Sequence, residues 1–193
     1  ILAMVNINGV NTSFADTKDS TQTTTTTTEN NQSDSSSSDE TSSTDEDSTE
    51  DDENVLKTDD GFKYTVEDDE VTIKGYEGSK TTLTIPNEID GKKVTKIGAN
   101  AFDGNTSITS VEIQDGITTI DSYAFYNATA LESVSIPESV TTMNEGAFAN
   151  CTALSSVNLP SKLKTISYGL FASCSNLTKI EIPEGVTSID GYA

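Results

Sequence analysis

The sequence predicts a solenoid of stacked repeats, mostly β with short helical turns, and the main observation behind this prediction is a fixed step of 23 residues. Isoleucine or methionine, phenylalanine and other apolar residues each recur at that step through residues 94–193. The repeated columns are Ile97, Ile120, Met143, Ile166 and Ile189; Phe102, Phe125, Phe148 and Phe171; Val94, Ile117, Val140, Leu163 and Val186; Ile108, Leu131, Leu154 and Leu177; Val111, Val134, Val157 and Ile180; and Pro137, Pro160 and Pro183. Agreement in so many columns indicates that equivalent side chains of successive repeats stack on one another.

Most repeats contain a short strand that ends at a proline. In the unit around Leu154, the spacing of Val157 and Leu159 places these two side chains on the inner face and their neighbours on the outer face. Pro160 follows at once, and because proline has no N–H the hydrogen-bonded ladder stops there. A turn and an Ala-Phe segment then bring the chain back. The period lies within the 20–29 residues of leucine-rich repeats, so we predict a leucine-rich repeat solenoid over 94–193.

The segment 55–93 is predicted to form an N-terminal cap together with the first ladder strand. The stretch FKYTVEDDEVTIKGY (62–76) alternates apolar and polar residues around an acidic turn, which predicts a β-hairpin. TLTIP (82–86) is then the first ladder strand. The Asp90-Gly91 pair that follows favours a tight hairpin turn.

Residues 1–54 differ in composition from the rest of the chain. Residues 1–15 (ILAMVNINGVNTSFA) begin with an apolar run and end in a small-x-small triplet, which indicates the remnant of a secretory signal peptide. Residues 16–54 are almost entirely Ser, Thr, Asp, Glu, Asn and Gln, so they cannot bury enough apolar surface to fold. We predict a disordered acidic spacer there; a glycosylated stalk is the alternative.

The repeat pattern is still running at Ala193, where a phenylalanine should come next. We therefore expect a fragment cut in mid-repeat, with more repeats or domains beyond it. A last turn without a cap exposes apolar ladder residues, so we also expect fraying or self-association beyond about Ile182.

Two segments carry a resemblance to a known family. IDSYAFYNATALESVSIPESVTTM and MNEGAFANCTALSSVNLPSKLKTI resemble the BspA-like leucine-rich repeats of bacterial and some protozoan surface proteins, and the resemblance extends over about residues 60–193. Departures from the family pattern are small: Gln114 replaces the proline, Leu170 the alanine before Phe171, and Asn105 and Ala128 the cysteine. The resemblance implies a secreted or surface-attached protein that binds host proteins, matrix or other cells. It implies no particular ligand.

Composition argues against several classes of function. The formal charge of −21, from 11 basic and 32 acidic residues, disfavours nucleic acids and anionic membrane surfaces as partners. No apolar run is long enough to span a bilayer. The chain has no histidine to serve as a base or a zinc ligand, and its acidic turns lack the spacing of a calcium loop. We therefore predict no catalysis, no metal and no cofactor.

Two sequence features have a structural and a functional interpretation. Cys151 and Cys174 stand one repeat apart; two buried thiols are the preferred interpretation and a disulfide is the alternative. Within the repeats, four Asn-x-Ser/Thr sites fall mostly in the turn after the Ala-Phe segment, where asparagine suits the backbone; glycosylation is the alternative. These sites begin at Asn105, Asn127, Asn150 and Asn176.

The outward-facing ladder residues are the best binding candidates, and they predict a polar face with small side chains. The predicted face comprises Thr84, Ser110, Glu112, Ser133, Ser135, Ser156, Asn158, Lys179 and Glu181. A second candidate is a tyrosine-lined flank that binds glycan or protein, although these rings also suit packing against the next turn. Its members are Tyr123, Tyr126, Tyr168 and Tyr192.

The leading hypothesis is a secreted or cell-surface adhesion module that recognises extracellular or host proteins, matrix or glycans through many weak contacts. The rival hypothesis is an accessory binding module of a larger secreted enzyme whose catalytic domain lies beyond residue 193. A passive structural spacer is the third.

Overall fold

The structure is a computed structural model, and it describes residues 54–193. The predicted signal remnant and nearly all of the predicted spacer lie outside these residues. The chain from 54 to 193 winds as a β-solenoid with a repeat of 23 residues, which confirms the predicted fold. Within this part of the chain there is no helix, so the segments expected to form short helical turns are hydrogen-bonded turns instead.

Thirteen short strands form three sheets in the described residues. The first sheet contains β1 (Leu56–Lys57), β2 (Phe62–Glu67), β3 (Glu70–Tyr76), β5 (Glu88–Ile89), β6 (Lys92–Ile97), β8 (Thr119–Ile120) and β10 (Thr142–Met143). The second, which we call the ladder sheet, contains β4 (Thr82–Ile85), β7 (Ser110–Ile113), β9 (Ser133–Ser135) and β11 (Ser156–Val157). The third pairs β12 (Thr165–Ile166) with β13 (Ser188–Ile189).

The strand register reproduces the repeat seen in the sequence. In the ladder sheet Ser110 lies opposite Ser133, and Val111 lies opposite Val134, in parallel pairs. The step from β8 to β10 in the first sheet has the same spacing. Equivalent residues of successive turns are therefore neighbours in space. The side chains of one outward-facing column together form one continuous strip of the surface.

A column of stacked phenylalanines fills the centre of the solenoid. The rings of Phe102, Phe125, Phe148 and Phe171 follow one another with centroids 4.8, 5.1 and 5.6 Å apart and nearly parallel planes. Phe125 and Phe148 are almost completely buried. Because offset stacking of aromatic rings adds to the free energy of burial, this column binds each turn to the next.

The hairpin predicted over 62–76 is present as β2 and β3, which pair in antiparallel fashion. Asp68 and Asp69 turn the chain with φ of 50° and 68°, the conformation of a two-residue hairpin loop. Asp90 and Gly91, with φ of 52° and 76°, form the second predicted tight turn, between β5 and β6. Since β3 also pairs with β6, the hairpin extends the first sheet at its N-terminal side; its role as a cap remains a prediction.

Ladder strands become shorter along the chain. β4 and β7 contain four residues, β9 three and β11 two, and residues 178–182 form no strand. The sequence placed Lys179 and Glu181 on the ladder, but neither lies in a paired strand, and their side chains instead form an ion pair of 2.8 Å. Further on, the Ile189 side chain is 51% exposed.

The two cysteines are buried free thiols, as preferred from the sequence. Each Sγ donates to a backbone carbonyl of the preceding turn at 3.1 Å: Cys151 to Phe125 and Cys174 to Phe148. Hydrogen bonding with Cys174 and burial raise the pKa of the Cys151 thiol. Cys151 is therefore a protonated core residue and is poorly suited to act as a nucleophile.

Candidate functional site

The outer face of the ladder sheet is a shallow groove of about 620 Å³. Three adjacent strands, β7, β9 and β11, line it. Six of the nine predicted binding residues belong to this lining: Ser110, Glu112, Ser133, Ser135, Ser156 and Asn158. The structure therefore brings most of the predicted face together, while Thr84 lies on the neighbouring strand β4, and Lys179 and Glu181 are in no strand and do not line the groove.

The hydroxyl groups along this groove are only partly engaged with one another. Ser110 and Ser133 share a hydrogen bond of 3.1 Å across β7 and β9, and Thr84 donates to Glu112 at 3.4 Å. Ser135 and Ser156 are exposed and their side chains form no hydrogen bond within residues 54–193. The groove thus offers free hydroxyl donors and acceptors to a partner, on a rigid strand scaffold.

Asn158 has a structural task that the sequence did not reveal. Its side-chain amide donates to the carbonyl oxygen of Ile136 at 2.7 Å and accepts from the Ile136 N–H at 3.1 Å. Because β11 ends at Val157, this side chain takes the place of the next pair of backbone hydrogen bonds. Asn158 is therefore part of the wall of the groove, and its amide is already occupied.

A second recess, which we call the tyrosine cleft, lies on the return flank of the solenoid and has a volume of about 250 Å³. The lining residues are Tyr123, Glu145, Gly146, Ala149, Tyr168, Gly169, Ala172 and Tyr192. The expected tyrosine flank thus exists, but Tyr126 does not line it and instead packs edge-on against Tyr123 with ring centroids 5.7 Å apart.

The cleft arises because the residues in one column of the repeat differ in side-chain size, with tyrosine at both ends and glycine between them. Tyr123, Gly146, Gly169 and Tyr192 are equivalent residues of four successive turns, and all have φ between 57° and 60°. The Tyr123 ring leans over Gly146, where an added Cβ would lie 2.5 Å from Cε1. Above Gly169 an added Cβ would meet only the Ala172 methyl group, at 3.8 Å. The floor is therefore open between two tyrosine walls.

One carboxylate stands at the edge of the cleft. The Tyr123 hydroxyl donates to Oε1 of Glu145 at 2.7 Å, and this hydrogen bond is the main reason why the pKa of Tyr123 is raised above 10. On the opposite wall, Tyr168 and Tyr192 meet edge to face at 5.6 Å and are 49% and 80% exposed. Glu145 and the two glycines were not predicted as site residues, although the Tyr-Gly-Gly-Tyr column is present at the 23-residue step of the sequence.

Two of the predicted glycosylation sites are engaged in the turn itself. Asn127 and Asn150 both have left-handed backbones, with φ of 57° and 63°. The Asn150 amide donates to the Asn127 side-chain oxygen at 2.8 Å, linking adjacent turns. This favours the structural interpretation of these asparagines.

Neither a metal site nor a membrane helix is found in residues 54–193. No group of three or more Cys, Asp or Glu side chains in this part of the chain is arranged to hold a metal ion. None of its segments forms a helix with the length and apolar character needed to cross a bilayer.

The comparisons with known proteins agree with this geometry. A profile of the BspA type leucine rich repeat region matches residues 76–193 in six copies. The chain belongs to the BspA-type leucine-rich repeat family. No curated protein gives a match.

Solved structures of leucine-rich repeat proteins are similar to this BspA-type chain. A leucine-rich repeat protein of T. pallidum is 27% identical, with a TM-score of 0.65, over 69% of this chain and 64% of that one. A leucine-rich cell surface protein of Faecalibacterium prausnitzii is 28% identical, with a TM-score of 0.54, over 71% and 45%. A protein of Bacteroides capillosus shares the fold at 23% identity and a TM-score of 0.53, over 72% and 100%. The chain thus spans less than two thirds of the first two structures.

Proposed function

We propose that this protein is a secreted or surface-displayed recognition module that binds extracellular proteins, matrix or glycans through the ladder groove. The observation that carries the proposal is the groove itself: a row of exposed and half-buried polar side chains on three paired strands, with hydroxyl groups left free at Ser135 and Ser156. Similarity to a cell surface protein of F. prausnitzii supports the location.

The physical character of the groove favours recognition by many weak contacts. Four serines, Glu112, Asn158 and three valines line it, and it has no Tyr, Trp or Arg of the kind that dominates tight protein interfaces. A single groove should therefore bind weakly, and display of many copies on one surface would raise the apparent affinity. Non-catalytic binding also fits the leucine-rich repeat family to which the chain belongs.

A binding screen with ladder variants tests the proposal. The full chain is applied, multivalently displayed, to arrays of extracellular-matrix proteins and glycans. The variant S135W/S156W fills the groove at two exposed positions that make no side-chain hydrogen bond, whereas replacing Asn158 would damage the wall. T142W is the matched control, because Thr142 is an exposed strand residue of the first sheet.

The expected result is binding that S135W/S156W abolishes and T142W preserves. Binding unaffected by either variant would place recognition elsewhere on the molecule. An absence of any binding by the folded wild type would contradict the proposal and favour a scaffold role for these repeats.

A further inference from the structure

We propose that the tyrosine cleft is a second binding site, and that it takes a single basic side chain, lysine or arginine, of a partner protein. The site is separate from the ladder groove, so each of the two proposals can fail alone. The size of the cleft, its aromatic walls and its charge all favour such a ligand.

Size limits the ligand to a group no larger than a side chain. At about 250 Å³ the cleft lies below the roughly 300–1,000 Å³ typical of pockets that hold whole small molecules. Tyr123 and Tyr192 belong to turns three steps apart, which separates their backbones by about 14 Å at ~4.8 Å per step. With the Tyr123 ring leaning over Gly146, the free space between the walls is narrower than this and suits an extended aliphatic stem.

The walls and the single carboxylate suit a cation. Tyrosine faces attract an ammonium or guanidinium group, and Glu145 supplies the opposite charge at the rim. The Tyr123 hydroxyl occupies only Oε1 of this carboxylate in the hydrogen bond that the structure shows. No lysine is among the lining residues, and the chain as a whole carries a formal charge of −21, so a basic partner is also attracted from a distance.

A neutral sugar is the poorer fit, although aromatic walls can stack on sugar rings. A sugar presents several hydroxyl groups that need hydrogen-bond partners. The floor consists of two glycines and two alanines, and the Tyr123 hydroxyl is already donated to Glu145. The cleft therefore offers one charged acceptor and apolar contact, which is the requirement of a lysine or arginine side chain.

The backbone adds a further observation. Tyr123 and Tyr192 adopt left-handed φ values of 58° and 57°. The equivalent positions in the other turns are occupied by asparagine or glycine, which tolerate this conformation better: Asn100, Gly146 and Gly169. A bulky residue with positive φ is destabilised relative to glycine. The backbone conformation at these two positions therefore disfavours tyrosine, and its presence there supports a binding role for the two side chains.

The test uses the full chain with isotope-labelled tyrosines, observed by NMR. The probe is the peptide acetyl-Gly-Lys-Gly-amide, and the matched control peptide has norleucine in place of lysine. The lysine peptide should cause saturable shifts of the cleft tyrosines that weaken as salt is raised from about 20 mM to about 0.5 M, since screening shortens the reach of charge. The norleucine peptide should cause none.

Three variants locate the effect. E145Q should weaken binding of the lysine peptide about two- to fivefold, the range expected for one exposed ion pair, while E132Q, at another exposed acid, should leave it unchanged. G169N should weaken binding more than tenfold, because asparagine tolerates the left-handed backbone and its side chain would occupy the open floor.

Three results would overturn the proposal. The first is that the norleucine peptide binds the wild type as tightly as the lysine peptide does. The second is that the lysine peptide binds the folded E145Q variant as tightly as the wild type, and the third is that a neutral oligosaccharide shifts the same tyrosines while the lysine peptide does not. Because E145Q removes only a charge at an exposed site, it keeps the test valid even if G169N perturbs the turn.

Discussion

The ladder groove and the tyrosine cleft are built by the same repeat, yet they differ in how their columns vary. Along the groove, both outward columns keep polar residues from turn to turn, and one of them is serine at Ser110, Ser133 and Ser156, so the surface is shallow. Along the flank, one column changes from tyrosine to glycine and back, so the surface has walls and a floor. A regular core therefore does not impose a regular exterior, because the outward columns are free to change once the inward columns are filled.

The difference also separates two ways of binding. The groove offers many hydroxyl groups and no aromatic anchor, which suits weak contacts spread over a large area. The cleft offers three aromatic rings and one carboxylate in a small volume, which suits one inserted group. Both regions share the buried core, and each has side chains of its own that can be changed separately.

Removing the shared core should have the largest effect. Phe148 is fully buried between Phe125 and Phe171, so F148A should lower the free energy of unfolding by about 3–5 kcal/mol, by analogy with other buried phenylalanines. Chemical denaturation measures this loss. Y126A, which truncates a ring that is 38% exposed, is the control and should cost much less. Equal losses would show that the stacked column is not the common support of both regions.

A paired change at the floor of the cleft should have an intermediate effect. G146A and G169A both place alanine at a left-handed backbone position, which costs roughly 1–2 kcal/mol each. Only at Gly146 does the new methyl group also meet the Tyr123 ring, at 2.5 Å. G146A should therefore be the less stable variant and the only one that shifts the Tyr123 resonances. Identical stabilities and spectra would contradict the placement of that ring.

The groove should contain one structural side chain among several dispensable ones. N158A removes both hydrogen bonds to the Ile136 backbone and should cost about 1–2 kcal/mol, given the usual penalty for unpaired backbone groups. S156A removes a hydroxyl group with no partner in the described residues and should stay within about 0.5 kcal/mol of the wild type. If N158A had the same free energy of unfolding as the wild type, Asn158 would not be a structural residue and its amide would be available for binding.

The smallest effect concerns the charge at the rim of the cleft. The hydrogen bond to Glu145 raises the pKa of Tyr123, so Tyr123 should ionise above pH 10, and E145A, which removes both the acceptor and its charge, should move the pKa back toward 10. Because the folded pKa is the higher one, the stabilising contribution of this contact is complete below pH 10 and is lost as the pH rises through the folded pKa. An ultraviolet titration checks this, and an unchanged pKa in E145A would contradict the hydrogen bond between Tyr123 and Glu145.

The fold was predictable because its cause lies in the buried columns. Ile97, Phe102 and their equivalents repeat at one step, and stacking them leaves few alternatives. The groove followed from the same register, since residues beside an inward-facing valine must face outward. Lys179 and Glu181 were misplaced on the ladder because the periodic pattern does not show where the hydrogen-bonded pairing of strands stops.

The cleft and the role of Asn158 were harder to predict, for physical reasons. The recess depends on the direction in which the Tyr123 ring leans and on the space above Gly169, and neither follows from residue spacing. Asn158 replaces backbone hydrogen bonds only because β11 ends one residue earlier, which is a feature of local backbone geometry. The 23-residue period therefore predicts the buried core of the solenoid, whereas the recesses on its surface become apparent only from the structure.

The most direct measurement of the central claim compares, on one array, a variant in which the ladder groove is filled with a variant in which the tyrosine cleft is filled. The ladder variant S135W/S156W, the cleft variant G169N and the wild type, all checked for folding by thermal denaturation, are displayed against the same matrix proteins, glycans and lysine-rich peptides. We predict that the ladder variant loses matrix or glycan ligands and keeps the basic peptides, whereas the cleft variant shows the reverse. Loss of the same ligands in both variants, or of none in either, would contradict the account of two separate recognition surfaces on one repeated core.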